Sequence, residues 1–76
     1  MSVKVLFFGS IADSLRQHEC ILPVNENMTV ADVISAVGCG EFKPLLVAVN
    51  QTQVNDMDLV VKDSDEVAFM PPFSGG

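Results

Sequence analysis

The chain predicts an α+β fold in which a mixed sheet wraps around one main helix. Three observations support this reading. Runs of β-branched and aromatic residues stand near both ends, at Val3 to Phe8 and at Glu66 to Met70. Between them, Val30, Val33, Ile34 and Val37 recur at helical spacing. The elements follow the order strand, short helix, strand, long helix, strand, short strand, strand. That order lets the first and last strands lie adjacent and parallel in the middle of one sheet.

In the first strand Val3, Val5 and Phe7 share one face, and Lys4, Leu6 and Phe8 share the other. The face without Lys4 is the better core face. Gly9 ends the strand, and Ser10-Ile11-Ala12-Asp13 has the spacing of a helix cap, with Ile11 and Leu15 packing inward from a short helix. Cys20 to Val24 returns as a second strand, antiparallel to the first. Thr29-Val30-Ala31-Asp32 opens the main helix: the Thr29 hydroxyl can cap free N–H groups, and Asp32 suits the positive end of the helix dipole. Gly38 is a natural stop. Leu45 to Asn50 reads as a third strand and Leu59 to Val61 as a short extended piece. Asp63-Ser64-Asp65 then reads as a solvated turn into the last strand. There Val67 and Phe69 face the core, while Glu66, Ala68 and Met70 face away. Phe8 and Met70, with Leu6 and Ala68, form a candidate apolar patch on the uncovered face.

A chain of 76 residues makes one domain, 1–76, near the lower size limit for a core without disulfides or metal. Hydrophobic residues make up 49% of it and the mean hydropathy is +0.38, so some apolar surface should stay exposed for a partner. The net charge of -6 argues against nucleic acid, because only Lys4, Arg16, Lys43 and Lys62 could meet phosphates. No membrane attachment is expected, since Val5-Leu6-Phe7-Phe8 is too short for a secretory segment and nothing approaches spanning length. Cys20 and Cys39 lack the paired spacing of a zinc or redox motif and read as reduced cytosolic thiols, which places the protein in the cytoplasm. Cys20 is expected in the core, and Cys39, between Gly38 and Gly40, at the surface.

The chemistry sits at the other end. Pro71-Pro72-Phe73-Ser74-Gly75-Gly76 reads as a flexible tail, 71–76, whose prolines cannot extend a central strand and should project the last residues from the body. Gly75 and Gly76 carry no Cβ and can enter a channel too narrow for side chains. Elsewhere, His18 beside Glu19 makes no catalytic constellation, and no metal-ligand spacing appears, Asp63, Asp65 and Glu66 included. The terminal carboxylate is the one unusual reactive group. Carboxylates are poor acyl donors, so activation must begin by making an acyl phosphate or adenylate at another protein's nucleotide site. A sulfur nucleophile would then leave a thiocarboxylate, and an amine an isopeptide bond. Residue chemistry alone leaves both open.

Val3-Lys4-Val5-Leu6-Phe7-Phe8-Gly9, Leu46-Val47-Ala48-Val49-Asn50-Gln51 and Asp65 through Gly76, ending Pro-Pro-Phe-Ser-Gly-Gly, together resemble the small, sulfur-carrying subunits of molybdopterin synthases. The resemblance covers nearly the whole chain and implies a ubiquitin-like β-grasp fold. It also implies a non-catalytic carrier that binds no cofactor itself. An E1-like enzyme uses ATP to adenylate Gly76, a sulfur donor converts it to a thiocarboxylate, and the tail enters the large synthase subunit in a heterotetramer. There the sulfur goes to cyclic pyranopterin monophosphate to build the dithiolene of molybdopterin. Gly75 is the required neighbour of Gly76, and Phe8, Met70 and Phe73 are the expected partner-binding residues. Gln53 departs from the family's usual apolar residue. The alternatives are the thiamine-pathway sulfur carrier, which generally lacks the Pro-Pro lead-in, a ubiquitin-like protein modifier, and an interaction module with an inert tail.

Overall fold

The computed structural model describes residues 1–42 and 45–72. β1 (Ser2–Phe7) and β5 (Glu66–Met70) obey the alternation read from the sequence: Val3, Val5, Phe7, Val67 and Phe69 are all buried. The two strands pair in parallel, with Val5 opposite Val67 and Phe7 opposite Phe69. β2 (Glu19–Pro23) flanks β1, and the hairpin of β3 (Leu46–Val49) and β4 (Thr52–Val54) flanks β5, all antiparallel. The resulting order β2-β1-β5-β3-β4 is a mixed sheet with the first and last strands at its centre. This is the ubiquitin-like β-grasp arrangement.

α2 (Val30–Val37) covers one face of that sheet, with Val30 and Val33 fully buried in the core and Ile34 and Val37 packed beside them. Its start is a complete capping box. The Asp32 N–H donates to Thr29 Oγ1 at 3.2 Å, and the Thr29 N–H donates to Asp32 Oδ2 at 2.9 Å. Gly38 ends the helix at φ 79°, a left-handed angle that glycine takes without strain. α1 (Gly9–Leu15) adds Ile11 and Ala12 to the same core.

Four local expectations are corrected. Ser10 is not a cap but the second residue of α1, because the chain already turns at Gly9 (φ 57°), and the Ala12 N–H reaches Phe8 O at 3.4 Å. Thr52–Val54 forms a strand that the polar sequence Thr-Gln-Val concealed, built by a two-residue turn in which Asn50 and Gln51 both take positive φ, 51° and 69°. Leu59 to Val61 makes no strand, only one bridge from Val60 to Thr29, although Val61 is buried. Cys39 is not at the surface: it follows the left-handed turn at Gly38, donates its N–H to Ile34 O at 2.9 Å and is completely buried. Cys20, on edge strand β2, is half-buried and packs against the core, as expected.

The turn before β5 is also more than solvated. Asp63 Oδ1 accepts the Ser2 N–H at 3.0 Å, and Asp65 Oδ2 accepts the Lys62 N–H at 2.8 Å. Asn50 ties this turn to the β3–β4 hairpin. Its Nδ2 donates to Asp65 Oδ1 at 3.0 Å, its Oδ1 accepts the Glu66 N–H at 3.0 Å, and its own N–H donates to Glu66 O at 2.8 Å. Asn50→Gly should therefore lose about 1 kcal/mol in urea denaturation, for the missing side-chain hydrogen bonds. Asn50→Ala should lose roughly 2 kcal/mol, because alanine also resists the positive φ. Equal losses would show that the backbone angle contributes nothing.

Candidate functional site

Strand registers decide what lies on the face away from α2. Leu6 pairs with Ala68, Ala68 with Ala48, and Ala48 with Gln53, so these four make one row across the sheet. Leu46 pairs with Met70 in the row nearer the end of β5. Phe8 continues β1 in an extended conformation (φ -123°, ψ 157°), which keeps it on the side of Leu6 and leaves it 47% exposed. Its N–H still donates to Phe69 O at 3.1 Å, so its backbone is held by the sheet. Both helices pack on the opposite face through Ile11, Ala12, Val30 and Val33. The outer face is thus an apolar strip, half-buried at Leu6, Ala68, Met70 and Leu46 and open at Phe8.

The predicted pair Phe8 and Met70 is brought together at the strand ends, as the alternation required. Sequence reading missed Leu46 and Ala48. In Leu-Val-Ala-Val both faces of β3 are apolar, so alternation cannot tell inside from outside, and only the pairing with β5 decides. Gln53 is exposed at the far end of the strip and interrupts it, as its polarity suggested. At the other margin Ile21 pairs with Lys4 and is 62% exposed, beside an exposed Lys4–Glu19 ion pair at 3.9 Å. That pair contributes little at such exposure.

β5 ends at Met70, between β1 and β3, so whatever follows leaves from the middle of the sheet. Pro71 and Pro72 do not project at once. Both are half-buried, and the Pro71 ring packs against Gly9. Phe73, Ser74, Gly75 and Gly76 lie outside the described residues. Among the described residues, no cluster of three or more His, Cys, Asp or Glu could hold a metal ion. Neither thiol is activated. Burial pushes Cys39 above the ordinary thiol range, with Cys20 adding a smaller upward contribution, and burial alone raises Cys20.

The model of the ThiS family matches residues 5–76, from the first strand through the Gly-Gly end. The chain belongs to the ThiS family. Its members include small β-grasp sulfur carriers, and the comparisons with individual proteins agree. The molybdopterin synthase sulfur carrier subunit of Chlamydomonas reinhardtii is 29% identical over 83 aligned positions, covering all of both chains. Small archaeal modifier protein 1 of Haloferax volcanii superposes with a TM-score of 0.82 at 17% identity, over 95% of this chain and 98% of that one. A complex of subunits 1 and 2 of the molybdopterin-converting factor of Helicobacter pylori contains a chain with a TM-score of 0.69 at 22% identity, covering 100% of both. At those identities the two structures support the fold alone. This ThiS-family chain therefore shares its architecture with proteins whose names record sulfur carriage and protein modification.

Thiol reactivity reports the burial of the two cysteines directly. At neutral pH iodoacetamide should leave Cys39 unlabelled in the native protein and label Cys20 more slowly than a free thiol, with both reacting in denaturant. Above the ordinary thiol range an unfolded Cys39 ionises while the folded one stays protonated, so stability should fall as pH rises through that window. Native labelling of Cys39 as fast as a free thiol would contradict its burial.

Proposed function

We propose that this protein is the sulfur-carrier subunit of a cytoplasmic molybdopterin synthase, with Gly76 as the group that is charged and discharged. The observation supporting this most is the family match running without a break through Gly76, on a chain whose last strand lies at the centre of the sheet. Among the uses of a Gly-Gly carrier, the full-length relative from Chlamydomonas favours the molybdopterin branch.

The chemistry balances without a redox step in this chain. The Gly76 carboxylate attacks the α-phosphate of ATP in an E1-like partner, releasing pyrophosphate and leaving a glycyl adenylate. A sulfur donor at the oxidation level of sulfide displaces AMP, giving a thiocarboxylate. Its sulfur then bonds to a side-chain carbon of cyclic pyranopterin monophosphate in the large subunit, and the oxygen substituent of that carbon leaves. Water cleaves the acyl–sulfur bond, which regenerates the carboxylate and leaves the sulfur on the pterin precursor. A dithiolene holds two sulfurs, so two charged carriers are consumed for each product. The carrier supplies no acid, base or metal, and the large subunit must provide them. Gly75 lets the tail pass a narrow channel, because no side chain follows it in.

Docking would use the apolar strip. Phe8, Met70, Leu6 and Leu46 offer a desolvable surface beside the root of the tail, and Phe73 would extend it along the partner. Such an arrangement seats the sheet first and leaves the tail free to thread.

Intact-mass measurement after incubation with the activating enzyme, ATP and a sulfur donor should show one oxygen replaced by sulfur, localised to Gly76. Modification confined to Cys20 or Cys39 would refute the assignment. Phe8→Glu should weaken binding to the large subunit by roughly 2 kcal/mol or more in calorimetry, because a charge would be buried at an apolar contact. Its melting temperature should barely change, since Phe8 lies outside the core. Unaltered affinity would remove the strip from the interface.

A further inference from the structure

Two chain segments leave the same end of the sheet side by side. β1 turns into α1 at Gly9, and β5 turns into the tail at Pro71. The parallel ladder that joins them closes with the Phe8 N–H on Phe69 O at 3.1 Å, so Gly9 and Pro71 are the next residues along the same register. We propose that Gly9 is a positioning residue for the C-terminal tail: its missing side chain forms the seat on which the Pro71 ring rests and from which the tail is aimed.

The geometry is specific. A Cβ on Gly9 would lie 2.9 Å from Pro71 Cγ, closer than real Cβ atoms come to their neighbours, and 3.2 Å from Pro71 Cδ, tighter than most such contacts. Cδ is bonded to the Pro71 backbone nitrogen and cannot swing aside as the end of a long side chain would; a change of ring pucker moves Cγ but leaves Cδ in place, so full relief of the clash moves the Pro71 backbone. Five residues follow Pro71 in the sequence, so a change in the direction of the Pro71 backbone changes the line along which the rest of the chain sets out. A reaction that depends on the approach of one terminal atom group is slowed by such misdirection. Pro71 is half-buried in its seat, whereas Gly9 is exposed and contributes nothing to the apolar core. The positive φ of 57° already favours glycine at position 9, and the Pro71 ring adds a second reason for the missing side chain.

This role rests on the sulfur-carrier reading, and the test separates the two. In Gly9→Asn the new side chain tolerates a positive φ, so the added Cβ, not backbone strain, is the main disturbance. In thiocarboxylation by the activating enzyme with ATP and sulfide, Gly9→Asn should lower kcat by about tenfold or more while KM for the carrier stays within about twofold. In a Pro71→Ala background, which removes Cγ and Cδ, the same substitution should cost no more than about twofold, because the clash is gone. Should Gly9→Asn fold poorly, Gly9→Asp supplies the same Cβ in a residue that also tolerates a positive φ. Equal slowing in both backgrounds, or a raised KM with unchanged kcat, would overturn the proposal. The contact itself is checked without activity, by nuclear Overhauser effects between Gly9 Hα and the Pro71 ring protons, and their absence in the wild type would also overturn it. Their presence in a wild type that accepts no sulfur would dismiss the sulfur-carrier reading, and the tail's role with it, leaving only a packing contact.

Discussion

Because β5 is hydrogen-bonded to β1 on one side and to β3 on the other, the strand that carries the tail is held on both edges, with Val67 and Phe69 wholly buried beneath it. The parallel β1–β5 pairing is what makes this possible. It places the end of the chain at the centre of the sheet and fixes which way the last strand points. Phe7 and Phe69 pack with ring centroids 6.3 Å apart directly under that junction, so the seam is apolar as well as hydrogen-bonded. A central strand opens only with the whole domain, whereas an edge strand frays locally. The root of the tail therefore has the stability of the core, while the residues beyond it can be given to a partner.

The same pairing divides the molecule into two faces with different work. α1 and α2 cover one face and, with Val3, Val5, Val47 and Val67, complete a core from a short chain. Nothing among the described helices is left to cover the other. A domain of this size cannot bury all its apolar surface, and part of the excess forms the strip from Leu6 through Ala68 to Ala48, next to Phe8 and Met70, while Met1, Ile21, Leu59 and Val60 are exposed outside it. Small residues at Ala68 and Ala48 keep the middle of the strip flat, which suits apposition of another surface better than an isolated bulge would.

Legibility from sequence followed the strength of local chemistry. Thr29, Asp32 and Gly38 announced α2, because a capping box and a left-handed glycine are satisfied within a few residues of chain. The faces of β1 and β5 were legible because Lys4 and Glu66 break their apolar runs on one side. β3 was not, since both its faces are apolar. β4 was hidden because an edge strand needs few apolar residues and its turn uses Asn-Gln, not a glycine. Cys39 was misplaced for a related reason: flanking glycines suggested a surface loop, yet Gly38 is what folds Cys39 back under α2. The seat of Pro71 on Gly9 needed coordinates, because the two residues are distant in sequence and adjacent only through the central pairing.

Charge follows the same axis. Asp56, Asp58, Asp63, Asp65 and Glu66 are half of the ten acidic residues, and the last three gather where β5 begins, tied to Ser2, Lys62 and Asn50 by their backbone and side-chain hydrogen bonds. Phe8, Leu46, Met70 and Pro71 gather where β5 ends. Four strand rises separate Glu66 from Met70, about 13 Å, which exceeds the Debye length of about 8 Å at physiological salt. On the proposed sulfur-carrier reading, a tail that carries an anionic group to a nucleotide gains from having these three carboxylates at the opposite end of its strand. Asp13 in α1 and Glu19, paired with Leu6, stand at the tail's own end, so the separation belongs to the turn before β5 and not to the acidity as a whole.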